Sequence, residues 1–179
     1  MTSESIKSPL SSVATVNNVL LIVDAESLLS RYPQPSLKPQ LPTVIEDGFI
    51  FAIGGLLNAI NAINDSKITF NADNGTTFRI RARTVSLLAE HSVVFYEMSV
   101  GDAGVLSSPE LVVHDNLTLP APDPANPTEP ENHKADDYYW QCTRLSSGVE
   151  RCELNFMLIN KSCEALGYFS WAVEITLTA

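Results

Sequence analysis

The chain has 179 residues, 11 Lys plus Arg against 21 Asp plus Glu, a formal charge of −10 and 45% apolar residues. That length suits one globular domain able to bury about 70% of the surface its unfolded form exposes, without a metal or disulfide framework. The acidic balance excludes non-specific binding to nucleic acid or anionic membrane, which rewards clustered Lys and Arg.

Residues 1–17 are rich in Ser and Thr and read as a flexible tail ahead of one domain over 18–179. The first apolar run, Val19 to Val23, is too short for a signal peptide or a transmembrane helix, which places the protein in the cytoplasm. Five continuous apolar residues suit a strand buried on both faces or covered by a second subunit. Asp24 and Glu26 follow it and are candidates for binding a cation or a ligand hydroxyl, or for capping a turn. Tyr32 is a further candidate ligand contact and opens a segment with four prolines between Pro33 and Pro42, an extended connection over 32–43. Phe49 to Ile53 reads as a short strand. In Leu56 to Ile63, an apolar helical stripe competes with turn-favouring Asn58, Asn61 and Asn64.

From Thr76 to Val85 the period is 2, with Phe78, Ile80 and Ala82 on one face and Arg79, Arg81 and Arg83 on the other. Three guanidinium forks on one sheet face either read an anion or pair with carboxylates on a neighbouring strand. Val93 to Val100 and Glu110 to Leu119 read as strands. A second proline-rich stretch, 120–137, is predicted as a long loop that carries Asp136 and Asp137.

Beyond it, Tyr138, Trp140 and Cys142 share one strand face, and Cys152, Leu154, Phe156 and Leu158 share another, with Ser146-Ser147-Gly148 between them. A three-residue hairpin loop there would set Cys142 opposite Cys152, about 4.5 to 5.5 Å apart at Cα. The pair then forms either a cross-hairpin disulfide or two reduced core thiols, the form a cytoplasmic compartment favours. The last strand alternates Phe169, Trp171, Val173, Ile175 and Leu177 inward. The whole pattern is an all-β, antiparallel, jelly-roll-like sandwich of about eight strands with at most one short helix.

Catalytic and metal signals are absent from the sequence. There is no Gly-x-Ser-x-Gly elbow, no CxxC pair, and no ligand spacing among His91, His114 and His133. We therefore expect no cofactor, no metal and no enzymatic activity. The aromatic group Tyr138, Tyr139, Trp140, Tyr168 and Trp171 is shared between core packing and sugar stacking, with Tyr139 and Tyr168 as candidate ligand contacts.

The run Leu20-Leu21-Ile22-Val23-Asp24-Ala25-Glu26-Ser27, then Tyr32-Pro33-Gln34-Pro35-Ser36, Asp137-Tyr138-Tyr139-Trp140 and Gly167-Tyr168-Phe169-Ser170-Trp171, resembles the bacterial inclusion body protein (AidA/PixA) family over roughly residues 17–179. The resemblance implies a small bacterial protein under stationary-phase or quorum-sensing control, associated with virulence and host life, with no established activity or functional residues. Inclusion-forming relatives are Met-rich, whereas this chain has three methionines. Resemblance and sequence together point to a non-enzymatic interaction protein, a homodimer or higher oligomer that associates with itself or a protein partner. The alternative is a lectin-like module that binds a glycan.

Overall fold

The structure, a computed structural model, describes residues 15–54 and 66–178. The Leu56 to Ile63 ambiguity lies outside the described residues. Ten strands build two facing sheets: β1 (Val16–Val23), β2 (Thr43–Val44), β3 (Ile50–Gly54), β4 (Lys67–Asn71), β5 (Thr77–Thr84), β6 (Ser92–Val100), β7 (Glu110–Ala121), β8 (Glu131–Thr143), β9 (Gly148–Ile159) and β10 (Ala165–Thr178). The first sheet has the order β3-β1-β5-β8-β7, and the second β2-β10-β9-β6 with β4 also on β10. The β-sandwich expected from the sequence is observed, but its sheets are mixed. β5 runs parallel to β1, and β2 and β4 run parallel to β10. Alternation of side chains fixes faces but carries no information on strand direction.

Inward faces follow the period-2 pattern. Val19, Leu21 and Val23 of β1 and Phe78, Ile80 and Ala82 of β5 meet Leu154, Phe156 and Leu158 of β9 and Phe169, Trp171, Val173, Ile175 and Leu177 of β10. In β6 a bulge between Phe95 and Glu97 resets the phase, so that Met98 turns inward after Val93 and Phe95. β1 lies between β3 and β5, and its burial alternates, with Leu20 and Ile22 only half-buried. It is neither buried on both faces nor available to pair with another subunit. Its outward Leu20 instead lines a groove on the outside of the first sheet.

The single described helix, α1 (Ala25–Arg31), follows β1 directly. The proline-rich strap after it crosses the start of β10, where the Tyr168 amide donates to the Ser36 carbonyl at 2.8 Å, and then turns, with Leu41 N–H on the Lys38 carbonyl at 3.1 Å. Gly167 permits this crossing, because a Cβ there would stand 2.7 Å from Cβ of Pro35. No described helix is long and apolar enough to cross a membrane.

Two expectations are corrected. Half of the predicted loop 120–137 is strand: β7 continues to Ala121 and β8 begins at Glu131, with Leu119 opposite His133 and Leu117 opposite Ala135. Glu131 to Lys134 are exposed on both faces, so no apolar alternation marks the β8 arm of this hairpin. β8 and β9 also form no hairpin, since they belong to different sheets. The 144–147 connection crosses between sheets, with Arg144 N–H on the Thr76 carbonyl at 2.9 Å and Leu145 N–H on the Val105 carbonyl at 2.8 Å. Arg144 is buried in the crossing, its guanidinium donating to the carbonyls of Ser146 and Thr178 at 3.2 and 3.0 Å.

Candidate functional site

The period-2 pattern of β5 sends Arg79, Arg81 and Arg83 to the outside of the first sheet, and β8 brings Asp137 and Tyr139 beside them. Arg81 donates to Asp137 Oδ2 at 3.1 Å and Arg83 to Oδ1 at 3.2 Å, so one carboxylate is shared between two guanidinium groups. These arginines are about half exposed, at 47% and 51%, and such pairs contribute about 0–1 kcal/mol each. They position charge more than they stabilise the fold.

Arg79 differs from its neighbours. Its guanidinium carbon sits 5.1 Å from the centre of the Tyr139 ring, and its buried Nε has no hydrogen-bond partner among the described residues. A cation over an aromatic face is held by the ring quadrupole, which fixes the plane of the fork while leaving its N–H edge free for an acceptor. Tyr139 is fixed in turn by His114 of β7, whose Nε2 lies 3.2 Å from the phenol oxygen. These groups line a groove of about 590 Å³ whose remaining wall is Asn18, Val19 and Leu20 of β1 and Ile53 and Gly54 of β3. Arg79 shares this strand face with Arg81 and Arg83, whose one carboxylate partner is Asp137, so the face gathers three cationic groups on a chain of formal charge −10.

The other candidates lie elsewhere. Asp24 caps α1, its carboxylate accepting from Ser27 N–H at 3.0 Å, and Glu26 points outward in the first turn. Both therefore serve the helix N-terminus, where backbone N–H groups lack partners. Tyr32 packs edge-on against Phe49 and Phe169, and its hydroxyl accepts from Glu46 N–H at 3.1 Å. Tyr168 faces outward from the second sheet, edge-on to Tyr96 at 5.8 Å, on the opposite side of the sandwich from Tyr139. Trp171 is in the core, while Tyr138 and Trp140 reach across to β6 and donate to the carbonyls of Val93 and Phe95 at 3.3 and 3.0 Å. The five aromatics thus divide among the core, a clasp between the sheets and two opposite faces, and form no common stacking surface.

Cys142 and Cys152 are free and buried, each on the inner face of a different sheet. Burial pushes both thiols up to about 12, and the mutual proximity of the two adds to the shift at Cys152. Protonated thiols of this kind are poor nucleophiles. Among the described residues, no three His, Cys, Asp or Glu side chains come together to hold a metal.

Sequence reasoning identified the arginines and Tyr139 but missed Asp137, His114, Leu20 and Ile53 as their neighbours. Asp137 falls in a stretch whose prolines and polar residues read as loop, and β1 and β5 meet only through a parallel pairing that no local pattern announces.

Comparison with known proteins supports the architecture. The crystal structure of an inclusion body protein (PixA) from Burkholderia cenocepacia J2315 superposes with a TM-score of 0.77 at 18% identity, covering 94% of this chain and 99% of that one. The solution structure of amebosin aligns over 63% of this chain at 10% identity, and its TM-score of 0.26 is too low to indicate a shared fold. No curated protein matches the sequence. Residues 15–177 match the PixA inclusion body protein family, so nearly the whole described sandwich is covered by the match and the chain belongs to that family.

Proposed function

We propose that the protein is a non-enzymatic bacterial interaction protein that acts by self-association through the β7 edge of the first sheet. The observation that carries this reading is the contrast between two sheet edges. The β6 edge is occupied by side chains, since Tyr138 and Trp140 take up the Val93 and Phe95 carbonyls. β7 is a 12-residue edge strand with no further neighbour among the described residues, and it leaves Leu111 44% and Val113 53% exposed. Unpaired backbone beside exposed apolar side chains is a template for pairing with a second chain. The bulge between His114 and Leu117, and Pro120 beyond it, restrict regular pairing to the stretch around Leu111, Val112 and Val113. A two-fold, edge-to-edge contact of this strand with its own copy makes a dimer.

A second apolar surface, the tip of the β5–β6 connection with Leu87 80% and Leu88 84% exposed, offers a different contact through which dimers grow into larger assemblies. We further infer a cytoplasmic protein under stationary-phase or quorum-sensing control, associated with virulence, from the sequence resemblance alone.

Sedimentation of the purified protein tests the association. We expect a dimer or larger species for the unaltered chain and a monomer for Val113→Lys, with unchanged circular dichroism. A monomer for the unaltered chain at high concentration, or an undiminished dimer for the variant, would overturn the reading.

A further inference from the structure

We propose that the groove on the outer face of the first sheet binds a small organic carboxylate with an apolar body. This inference is independent of the self-association reading and rests on the chemistry of the groove walls. On the β5–β8 side, both carboxylate oxygens of Asp137 are already engaged by Arg81 and Arg83, which leaves Arg79 as the guanidinium with no carboxylate among the described residues. Its Nε is buried without a hydrogen-bond partner among the described residues, which costs free energy, and no hydrogen bond of its terminal nitrogens is seen among the described residues either. The Tyr139 ring at 5.1 Å fixes the plane of the fork, and His114 fixes the ring through its 3.2 Å contact with the hydroxyl. A planar fork held in this way matches a carboxylate in plane and can donate two parallel hydrogen bonds to it.

The opposite wall is apolar. Leu20 of β1 is half-buried and Ile53 of β3 is 46% exposed, and both line the same groove of about 590 Å³. That volume falls within the range typical of small-molecule sites. A ligand that satisfies both walls carries one anionic end for Arg79 and an aliphatic or aromatic body for Leu20 and Ile53. A bare anion would leave the apolar wall wet, and a neutral apolar molecule would leave Arg79 unpaired.

Calorimetric titration of the full chain with octanoate, hexanoate, 1-octanol and inorganic phosphate separates these contributions. Octanoate is expected to bind, and hexanoate to bind roughly tenfold more weakly, at about 0.8 kcal/mol per buried methylene and 1.4 kcal/mol per decade. 1-Octanol is expected at least about tenfold weaker than octanoate, because a hydrogen-bonded charge is worth that much or more, and phosphate likewise, because it buries no apolar body against Leu20 and Ile53. Arg79→Gln and Ile53→Glu should each weaken octanoate by about tenfold or more, while Arg151→Gln, on the second sheet, should leave it unchanged. The ligand series on the unaltered protein decides the matter even if a variant fails to fold. No binding of octanoate, equal binding of 1-octanol, equal binding of phosphate, or full binding by Arg79→Gln would each overturn the proposal.

Discussion

The two carboxylates after β1 show how position along one helical turn separates roles. Asp24 is the N-cap of α1 and satisfies Ser27 N–H, whereas Glu26 lies exposed one position into the helix. Asp24→Ala should therefore cost about 1 kcal/mol in urea unfolding, while Glu26→Gln should stay within about 0.5 kcal/mol. Neither should alter binding in the groove. The cysteines separate in the same way. Cys142 and Cys152 are buried and Cys163 is exposed, so a disulfide reagent should titrate one thiol in the native protein and three in denaturant. Two thiols held at about 12 against an ordinary value of 9.0 also predict an alkaline limb. Between about pH 9 and 12 the unfolded chain loses thiol protons that the native chain keeps, so stability falls as pH rises. Thermal melts of Cys142→Ala/Cys152→Ala should show a shallower decline over that window.

At the scale of elements, β8 links the features that matter. Its inner face supplies Tyr138 and Trp140 to close the β6 edge, and its outer face supplies Asp137 and Tyr139 to the groove. Strand periodicity enforces this division, since successive side chains point to opposite faces. Trp140→Phe keeps the ring but removes the donor to the Phe95 carbonyl at 3.0 Å. It should cost about 1–3 kcal/mol and lower the melting midpoint by roughly 2–10 °C. Loss of the clasp should also expose the β6 edge and raise the tendency to aggregate, measurable by light scattering. The β7–β8 hairpin follows a different rule. With neither face covered beyond Asp137, its register rests on backbone pairing and local bonds such as Asn116 N–H to Asp136 Oδ1 at 2.7 Å.

At the scale of the whole molecule, the sandwich presents its chemistry unevenly. The space between the sheets is filled chiefly by the inward apolar side chains, while the groove collects cationic groups on one outer face of an acidic chain. Long-range repulsion among the acidic groups opposes close approach of two copies, so self-association through β7 should strengthen as salt screens it. Coupling of folding to association gives an independent check. The melting midpoint of the unaltered chain should rise with protein concentration, and Val113→Lys should abolish that dependence.

The sequence by itself determined the inward faces of β5, β9 and β10, the arginine stripe, the proline-rich strap as an irregular connection and the family, because each is written in local periodicity or in residues at fixed order; the continuously apolar run of β1 carried no such face. It did not announce the one described helix, Ala25–Arg31, because the Asp24 cap signal and seven residues are too short to stand out from strand and turn. Tertiary structure alone decided that β8 and β9 lie in different sheets, which separates Cys142 from Cys152 along the ladders and removes the expected hairpin. It also decided that Leu20, Ile53, Arg79, His114, Asp137 and Tyr139 share one groove. The physical reason is the same in both cases: a strand's pattern states which face is wet and which is dry, but its neighbours are chosen by packing and pairing over the whole chain.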